Sequence, residues 1–289
     1  MMEVVVEEST DERSKLPNSI EQASVKKSLI KKLGIQNGQQ IFVYNPESRL
    51  SAAFTVFYSH QNREADVLLS ENGLEPLAEK NSFTGKLSTT VPRPSLTYQE
   101  AWKTNQAVET TWHKEGQDFL AAIAPHGGDM EACTDQIAVE LYKNMSPKTA
   151  SVWTVHSFGD DVFDLFHIKS NRLHPDSYPG LRQLTGIGFE HAISFHVKKD
   201  AEKIEVGGLA GDSFREQVAS VVRDAVKQSW DTVTDYEDGE YMAESEDNVV
   251  NRLTVDSRSG VQIELPVYAA RNYRKRIARH LAEFYYRIR

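Results

Sequence analysis

The chain has 289 residues, 39% of them hydrophobic, and a formal net charge of −9 at pH 7. Its length suits one large domain, or a medium domain joined to a small one. The acidic balance argues against a general nucleic-acid binder, which would carry a basic face. The single cysteine, Cys133, excludes an internal disulfide and a zinc site built on several cysteines.

The N-terminal residues 1–15 contain no basic stretch followed by a long apolar segment, so no signal peptide is predicted. No apolar run approaches the length of a membrane span. We therefore expect a soluble, cytoplasmic protein with no membrane partner, which would leave the cell only by lysis.

The first part of the chain predicts a polar arm followed by a short helix and a β-rich region. Residues 1–18 are polar and acidic apart from a short valine run, and we expect a loose arm there. The sequence Ser19-Ile20-Glu21-Gln22 matches a capping box and predicts a helix that ends near Gly34. Three β-like runs follow at Gln40–Tyr44, Ala52–Tyr58 and Asp66–Leu69.

Two further features concern the domain boundary. The segment Leu33–Ile41 resembles the turn of small β-domains in the swapped-hairpin barrel group. The segment Glu79–Ser95 is rich in Ser, Thr, Lys and Pro and predicts a linker. We therefore predict an N-terminal arm and small β-rich domain over residues 1–95, and a second domain over residues 96–289.

From Tyr98 onward, segments of helical and strand character alternate, which is typical of an α/β layer structure. Helices are predicted after a cap at Thr134, after a capping box at Ser213–Glu216 and over Tyr273–Arg289. The acidic segment Asp235–Asp247 predicts a surface loop. Strands are predicted at Phe119–Ala124, Val152–His156, Phe163–Ile168, His191–Val197 and Gly260–Pro266.

The stretch Ala121–Glu131 is an apolar run followed by a histidine, two glycines and two carboxylates. His126 follows the apolar run, and Gly127, Gly128 and two carboxylates come next. Open α/β sheets place ligands at such strand ends, and a His with a carboxylate on one turn suits a metal ion. The alternative interpretation is a Gly-rich turn with a hydrogen-bonded His.

The histidines cluster in the second region. Seven of the nine lie between His113 and His196, and His196 ends an apolar run as His126 does. Glu264 stands inside the strand-like run Val261–Pro266. A carboxylate is costly to bury unpaired, so Glu264 requires a metal, a cation or a catalytic task unless it faces water on an edge strand.

An ordered set of motifs resembles the poly-γ-glutamate hydrolase family, phage and bacterial zinc hydrolases with a carboxypeptidase-like fold. The opening motif is Ala124-Pro125-His126-Gly127-Gly128 with Glu131, followed by Thr134 and Ile137-Ala138. A phage-related replication label is also used for the family, but the composition supplies no basic face for that role. The resemblance covers residues 98–289 and continues through Phe166–Ser170, Ile193–His196, Val206–Leu209, Asn251-Arg252 and Gly260–Leu265.

The resemblance implies a zinc ion bound by His126, Glu131 and His196, with Glu264 as the catalytic glutamate. It also implies a zinc-carboxypeptidase-like mixed sheet flanked by helices, here preceded by the small mainly-β N-terminal domain. Asp129 stands where the family usually has Gly, so this second carboxylate could compete as a ligand or change the metal preference.

The implied activity is zinc-dependent hydrolysis of γ-glutamyl amide bonds in poly-γ-glutamate or a similar γ-linked peptide. Zinc lowers the pKa of a bound water and polarises the carbonyl, and Glu264 would transfer the proton to the leaving amine. Two alternatives stay open: a zinc carboxypeptidase or deacylase for another acyl-amino acid or peptide, and a non-catalytic binding protein on the same fold. The sequence does not predict the oligomeric state.

A polyanionic or peptide substrate requires polar and cationic contacts. Arg252 and Arg271 are candidates because a guanidinium binds a carboxylate with two parallel hydrogen bonds. Asn251 could hold a substrate amide or carboxylate. His167 and Ser170 could line the pocket or orient a ligand.

Overall fold

The computed structural model divides the chain into two compact units, Met1–Val108 with Phe158–Pro179, and Glu109–Ser157 with Gly180–Arg289. Among the described residues, no helix is both long and apolar enough to cross a membrane. The structure describes residues 1–9, 16–62, 64–77, 81–93, 95–145, 149–226 and 242–289, and the backbone alone of residues 231–233.

The first unit contains a closed β-barrel in which, over its described residues, the strand order is β1-β5-β2-β4-β3-β6. Alternate side chains fill its interior, as in β6, where Phe83 and Leu87 are buried between exposed neighbours. The strands are β1 Met2–Glu8, β2 Gln22–Lys26, β3 Gln40–Tyr44, β4 Ser51–His60, β5 Val67–Leu69 and β6 Ser82–Ser88. The helices of this unit, numbered along the whole chain, are α1 Lys27–Leu33, α2 Glu71–Leu74, α3 Tyr98–Lys103 and α5 Val162–Phe166.

Three predictions for this region are wrong. The expected arm contains strand β1, because Val4 and Val6 alternate into the barrel and β1 pairs with both β5 and β6. The expected linker contains β6, which closes the barrel against β1 and β3. The expected helix from Ser19 begins only at Lys27, because Gln22–Lys26 pairs as a strand with β4 and β5.

The second unit contains a mixed sheet whose order, over the described residues, is β12-β11-β13-β10-β8-β9-β7. Strands β9, β8, β10 and β13 run parallel to one another, and β11 is antiparallel to β13. The strands are β7 Ala107–Trp112, β8 Leu120–Gly128, β9 Ala150–Ser157, β10 His191–Lys198, β11 Lys203–Gly207, β12 Asp231–Val233 and β13 Gly260–Pro266. The helices are α4 Thr134–Asn144, α6 Pro179–Leu184, α7 Asp212–Ala225, α8 Val249–Arg252 and α9 Val267–Ile288.

One face of this sheet builds the core. Phe195 in β10 and Ile263 in β13 belong to one buried cluster with Ile137 of α4, Val218 of α7 and Leu281 of α9. Because successive side chains of a strand point to opposite faces, the polar residues between these apolar ones lie on the other face. The mixed α/β sheet flanked by helices, after a small β-rich domain, is confirmed.

Several boundaries differ from the predictions. The expected strand Phe163–Ile168 is largely helix α5. Helix α7 begins at Asp212 with Gly211 as N-cap, so Ser213 caps nothing. The N-cap of α4 is Cys133, and Thr134 is its first helical residue. Helix α9 begins six residues before the predicted start.

The strand Gly260–Pro266 is confirmed at both ends. Most of the predicted acidic loop Asp235–Asp247 lies outside the described residues, which resume at residue 242.

Candidate metal centre

His126, Glu131 and His196 form a buried cluster in which one ligand atom from each lies within 4.8 Å of the others. His126 lies near the end of β8, and His196 lies near the end of the neighbouring parallel strand β10. Parallel strands deliver their carboxyl-end side chains to one edge of the sheet. Glu131 comes from the short connection between β8 and α4, and the fold thus brings together residues 70 positions apart.

The carboxylate of Glu131 lies between the two imidazole rings. One oxygen is 2.8 Å from His126 Nδ1 and the other is 3.2 Å from His196 Nδ1. The backbone N–H of Val197 donates to Glu131 Oε2 at 3.1 Å. The turn itself is closed by the N–H of Glu131, which donates to the carbonyl of His126 at 2.9 Å, and by Thr134 Oγ1, which donates to the carbonyl of Glu131 at 3.0 Å.

Electrostatics favours an ionised carboxylate here. Burial by itself raises the pKa of Glu131, but His126 and His196 outweigh burial and hold that pKa well below its ordinary value. Burial by itself lowers the pKa of His196, but the carboxylates of Glu131 and Glu264 raise it to about 8. The cluster therefore stabilises positive charge next to Glu131.

The residues present fit a metal ion. Two imidazoles and one carboxylate are the donor set of many catalytic zinc sites, which keep a fourth position open. In addition, Nε2 of His196 is buried without a hydrogen-bond partner among the described residues, and buried polar atoms normally have one. Asp129, by contrast, is exposed and lies outside the cluster.

Glu264 lies directly beside the cluster. Strands β10 and β13 pair in a register that sets His196 opposite Glu264. The Glu264 side chain is 8% exposed, and Gln262 Nε2 donates to it at 3.0 Å. Asn248 in turn donates to Gln262 at 3.2 Å, which fixes the Gln262 amide.

Burial raises the pKa of Glu264 to about 8, and Glu131 and Glu205 add to the rise while His196 opposes it. A carboxyl group in this state can both accept and release a proton near neutral pH.

A further buried carboxylate, which is not among the residues predicted for the site, is Glu205, opposite Glu264 on the antiparallel strand β11. It is 5% exposed, and its Oε2 makes no hydrogen bond with any described residue. Ile204 and Val206 on either side belong to the core, so Glu205 points to the face that carries Glu264. A charge between two core residues is the same signal that singled out Glu264.

A second buried network supports the turn that follows His126. His156 Nδ1 is 2.9 Å from Asp135 Oδ2, and its Nε2 is 2.8 Å from Thr154 Oγ1. Gly127 lies opposite His156 in the β8–β9 register. A Cβ at Gly127 would lie 2.5 Å from the Asp135 Cβ and 2.7 Å from the Val155 carbonyl oxygen, so the network requires glycine here.

The residues predicted to bind substrate have different surroundings. The side chain of Asn251 is fully buried, and its amide hydrogen-bonds to the backbone of Leu209, Ala243 and Ser245. Arg252 is half-buried, and burial lowers the pKa of its guanidinium while Asp247 opposes the change.

Arg271 is exposed on α9. Burial raises the pKa of the Cys133 thiol, and the charges of Arg274 and Arg271 oppose that rise. His167 and Ser170 lie in the segment Phe158–Pro179, which belongs to the first unit. Their contribution to substrate binding stays a prediction.

A model of the poly-gamma-glutamate hydrolase family matches residues 96–282. The chain belongs to this family. The resemblance stated from the motifs is thereby confirmed, and the protein is a member of a hydrolase family. Comparison with curated proteins finds no match.

Solved structures with similar folds include three informative examples. A bacteriophage poly-gamma-glutamate hydrolase shares 19% identity, with a TM-score of 0.48, over 63% of this chain and 91% of its own. The zinc-free apo form of YNDL shares 20% identity, with a TM-score of 0.47, over 66% and 94%. A metallo-carboxypeptidase from Pseudomonas aeruginosa shares 9% identity, with a TM-score of 0.40, over 88% and 82%.

Replacing Gly127 with alanine should destabilise this hydrolase by about 1–3 kcal/mol, because the added methyl group overpacks the Asp135 side chain and the backbone of β9. Chemical denaturation measures the free energy of unfolding. Gly211→Ala is the control, since its Cβ would meet nothing within 4 Å, and it should cost less than about 1 kcal/mol. Equal costs for the two variants would contradict the packing argument.

Removing either imidazole of the cluster should abolish tight metal binding, because two ligands remain where the site needs three. We expect elemental analysis to find about one zinc per chain in wild type and far less in His126→Ala and His196→Ala. The control variant His280→Ala, at a half-buried histidine on α9 outside the cluster, should keep its metal. Full zinc content in both cluster variants would show that the metal lies elsewhere.

Zinc affinity should rise with pH up to about 8 and then level off. The reason is that His196, whose pKa lies at about 8 instead of 6.5, must lose its proton before its nitrogen can bind metal. The expected slope is up to roughly tenfold per pH unit below that pKa. Competition titrations with a chromophoric chelator measure it, and an affinity that stays flat from about pH 6 to about pH 8 would contradict the assignment.

Proposed function

We propose that this chain is a zinc-dependent amidohydrolase that cleaves γ-glutamyl amide bonds of poly-γ-glutamate or a similar γ-linked peptide. The observation that carries the proposal is the register pairing of His196 with Glu264, which sets a buried carboxyl group beside a three-ligand cluster. The membership in a poly-gamma-glutamate hydrolase family supports the substrate class.

His126, Glu131 and His196 would hold the zinc ion. When bound, zinc lowers the pKa of a coordinated water and polarises the scissile carbonyl. The protein contributes a prearranged donor set: the N–H of Val197 donates to one carboxylate oxygen of Glu131, and Thr134 Oγ1 donates to the backbone carbonyl of Glu131 and holds the turn. Such supporting hydrogen bonds preserve ligand geometry.

Glu264 would act as the proton-transfer group. The Gln262 amide holds one of its oxygens, so the carboxyl group keeps one orientation on the polar face of the sheet. Glu264 would accept the proton of the attacking water and release it to the leaving amine. Burial raises the pKa of Glu264 in the metal-free protein, and a nearby cation would lower it, which favours the base form at the start of the reaction.

A γ-linked glutamate chain carries a free carboxylate on every residue, so the substrate is polyanionic. The net charge of −9 opposes its approach, but helix α9 is locally basic, with six Lys and Arg residues and one Glu. Of these cations, Arg271 lies nearest to the start of the helix, which follows directly after the carboxyl end of β13, so its charge supports an anionic substrate there. Arg271 belongs to that helix and stays our candidate for a substrate contact, together with Arg252.

Replacing Glu264 with glutamine should lower kcat by about 10²- to 10⁴-fold, because the amide cannot accept the proton. Zinc content should stay unchanged, since Glu264 is not one of the three ligands. The assay follows new amine ends released from γ-linked glutamate oligomers, with α-linked oligomers in parallel. Glu202→Gln, a change at an exposed residue immediately before β11, is the matched control and should leave kcat within about twofold.

Three outcomes would count against the proposal in different ways. Undiminished activity in Glu264→Gln would remove this residue from the mechanism. Cleavage of α-linked oligomers alone would point to a zinc carboxypeptidase or deacylase. A zinc-loaded wild type that hydrolyses neither would favour a binding protein on this fold.

A further inference from the structure

A cleft of about 440 Å³ opens where strands β10 and β13 end. The pairing register of these two strands locates the cleft relative to His196 and Glu264. Lys198 pairs with Pro266 two positions beyond the pairing of His196 with Glu264, which is about 7 Å along the strands. The cleft is lined by Lys199, Ala201, Pro266, Val267, Tyr268, Arg271 and Asn272.

The polar lining of this cleft is cationic. Lys199 and Arg271 contribute two positive charges, and the described residues that line the cleft include no carboxylate. In the part of the chain that the structure describes, neither side chain forms an ion pair. Their charges are therefore available to a ligand, although the chain as a whole is acidic.

The backbone reinforces this charge. The cleft borders the first turn of the 22-residue helix α9. That first turn contains no acidic side chain, and no side chain caps it. The free N–H groups of a helix N-terminus favour an anion. Asn272 is held over this turn by a hydrogen bond of 2.8 Å from its Nδ2 to the Tyr268 carbonyl oxygen.

The walls of the cleft suit a short aliphatic chain. Pro266 and Val267 supply apolar surface, and Tyr268 adds an exposed ring. A γ-linked glutamate residue has methylene groups between its amide carbonyl and the carbon that carries its free carboxylate. Apolar walls with cations at one side match that alternation.

We propose that Lys199 and Arg271 bind a free carboxylate of the γ-linked chain in this cleft, next to the bond that is cleaved. The inference rests on the proposed function and specifies a subsite for it. Two cations beside the catalytic strand would select chains with a charged group at each residue, since a planar guanidinium and an ammonium both pair strongly with carboxylate. The subsite also explains how an acidic protein could bind an acidic polymer.

The test compares two substrates and three variants of the zinc-loaded full chain. The substrates are γ-linked glutamate oligomers and oligomers of equal length in which the free carboxylates are primary carboxamides. The variants are Lys199→Gln, Arg271→Gln and, as control, Lys275→Gln, which removes an exposed charge one turn further along α9 and outside the cleft. Dissociation constants are measured in the Glu264→Gln background, and kcat/KM in the active protein.

We expect Lys199→Gln and Arg271→Gln each to weaken binding of the carboxylate oligomer by about fivefold or more and to lower kcat/KM to match. Binding of the carboxamide oligomer should change by less than about twofold, and Lys275→Gln should leave both within about twofold. Thermal unfolding and zinc content report that each variant is folded and loaded.

Different results would overturn the subsite and the proposed function. If wild type cleaves the carboxylate oligomer but both cleft variants match Lys275→Gln, the subsite is wrong and the function stands. Equal losses on the two substrates also overturn the subsite, because charge is then not what the cleft recognises. If zinc-loaded wild type neither binds nor cleaves either oligomer, the proposed function fails and the subsite fails with it.

Discussion

The candidate site depends on one buried carboxylate, Glu131, held between two imidazoles. A buried charge is tolerated only when it is paired and hydrogen-bonded, and Glu131 meets that condition through His126, His196 and the N–H of Val197. Because the two histidines come from neighbouring parallel strands, the sheet itself sets their separation. The turn after β8 then needs Gly127, since a side chain there would collide with Asp135 and with β9. The residue types in this turn are therefore restricted by the close approach of the neighbouring strand β9 as well as by the need for metal ligands.

Side chains alternate along each strand, so residues that pack in the core lie on one face of the sheet and titratable residues lie on the other. Residues such as Phe195 and Ile263 pack against the helices, and the intervening residues His196 and Glu264 point away from that core. The same rule extends to Glu205, whose carboxylate is buried beside Glu264 without a hydrogen bond among the described residues. Three neighbouring strands thus present a row of titratable side chains on one face. The neighbours of Glu264 act on its pKa in opposite directions, since Glu205 raises it and His196 lowers it.

The motif around His126 and the strand Gly260–Pro266 could be predicted because local pattern carries them: an apolar run, two glycines, and a carboxylate inside a strand. The barrel could not be predicted from local pattern, since β1 becomes a strand only through pairing with β5 and β6. From local residue propensities alone, the segment that contains β1 is predicted to be a polar arm. The segment Phe163–Ile168 is predicted as a strand although Val162–Phe166 is helical, because a short apolar run fits the periodicity of a buried helix as well as that of a buried strand. The charge of Glu205 between two apolar residues is visible in the sequence, but its position beside Glu264 depends on the strand register, which local pattern does not give.

The net charge of −9 does not describe helix α9, which carries six Lys and Arg residues and one Glu. We propose that His126, Glu131 and His196 hold a metal beside Glu264. Anomalous X-ray diffraction from zinc-loaded crystals, with data collected above and below the zinc absorption edge, would locate that metal. We expect one anomalous peak bounded by the Glu131 carboxylate and the two imidazoles. A fully zinc-loaded protein whose peak lies away from these three side chains would contradict this proposal.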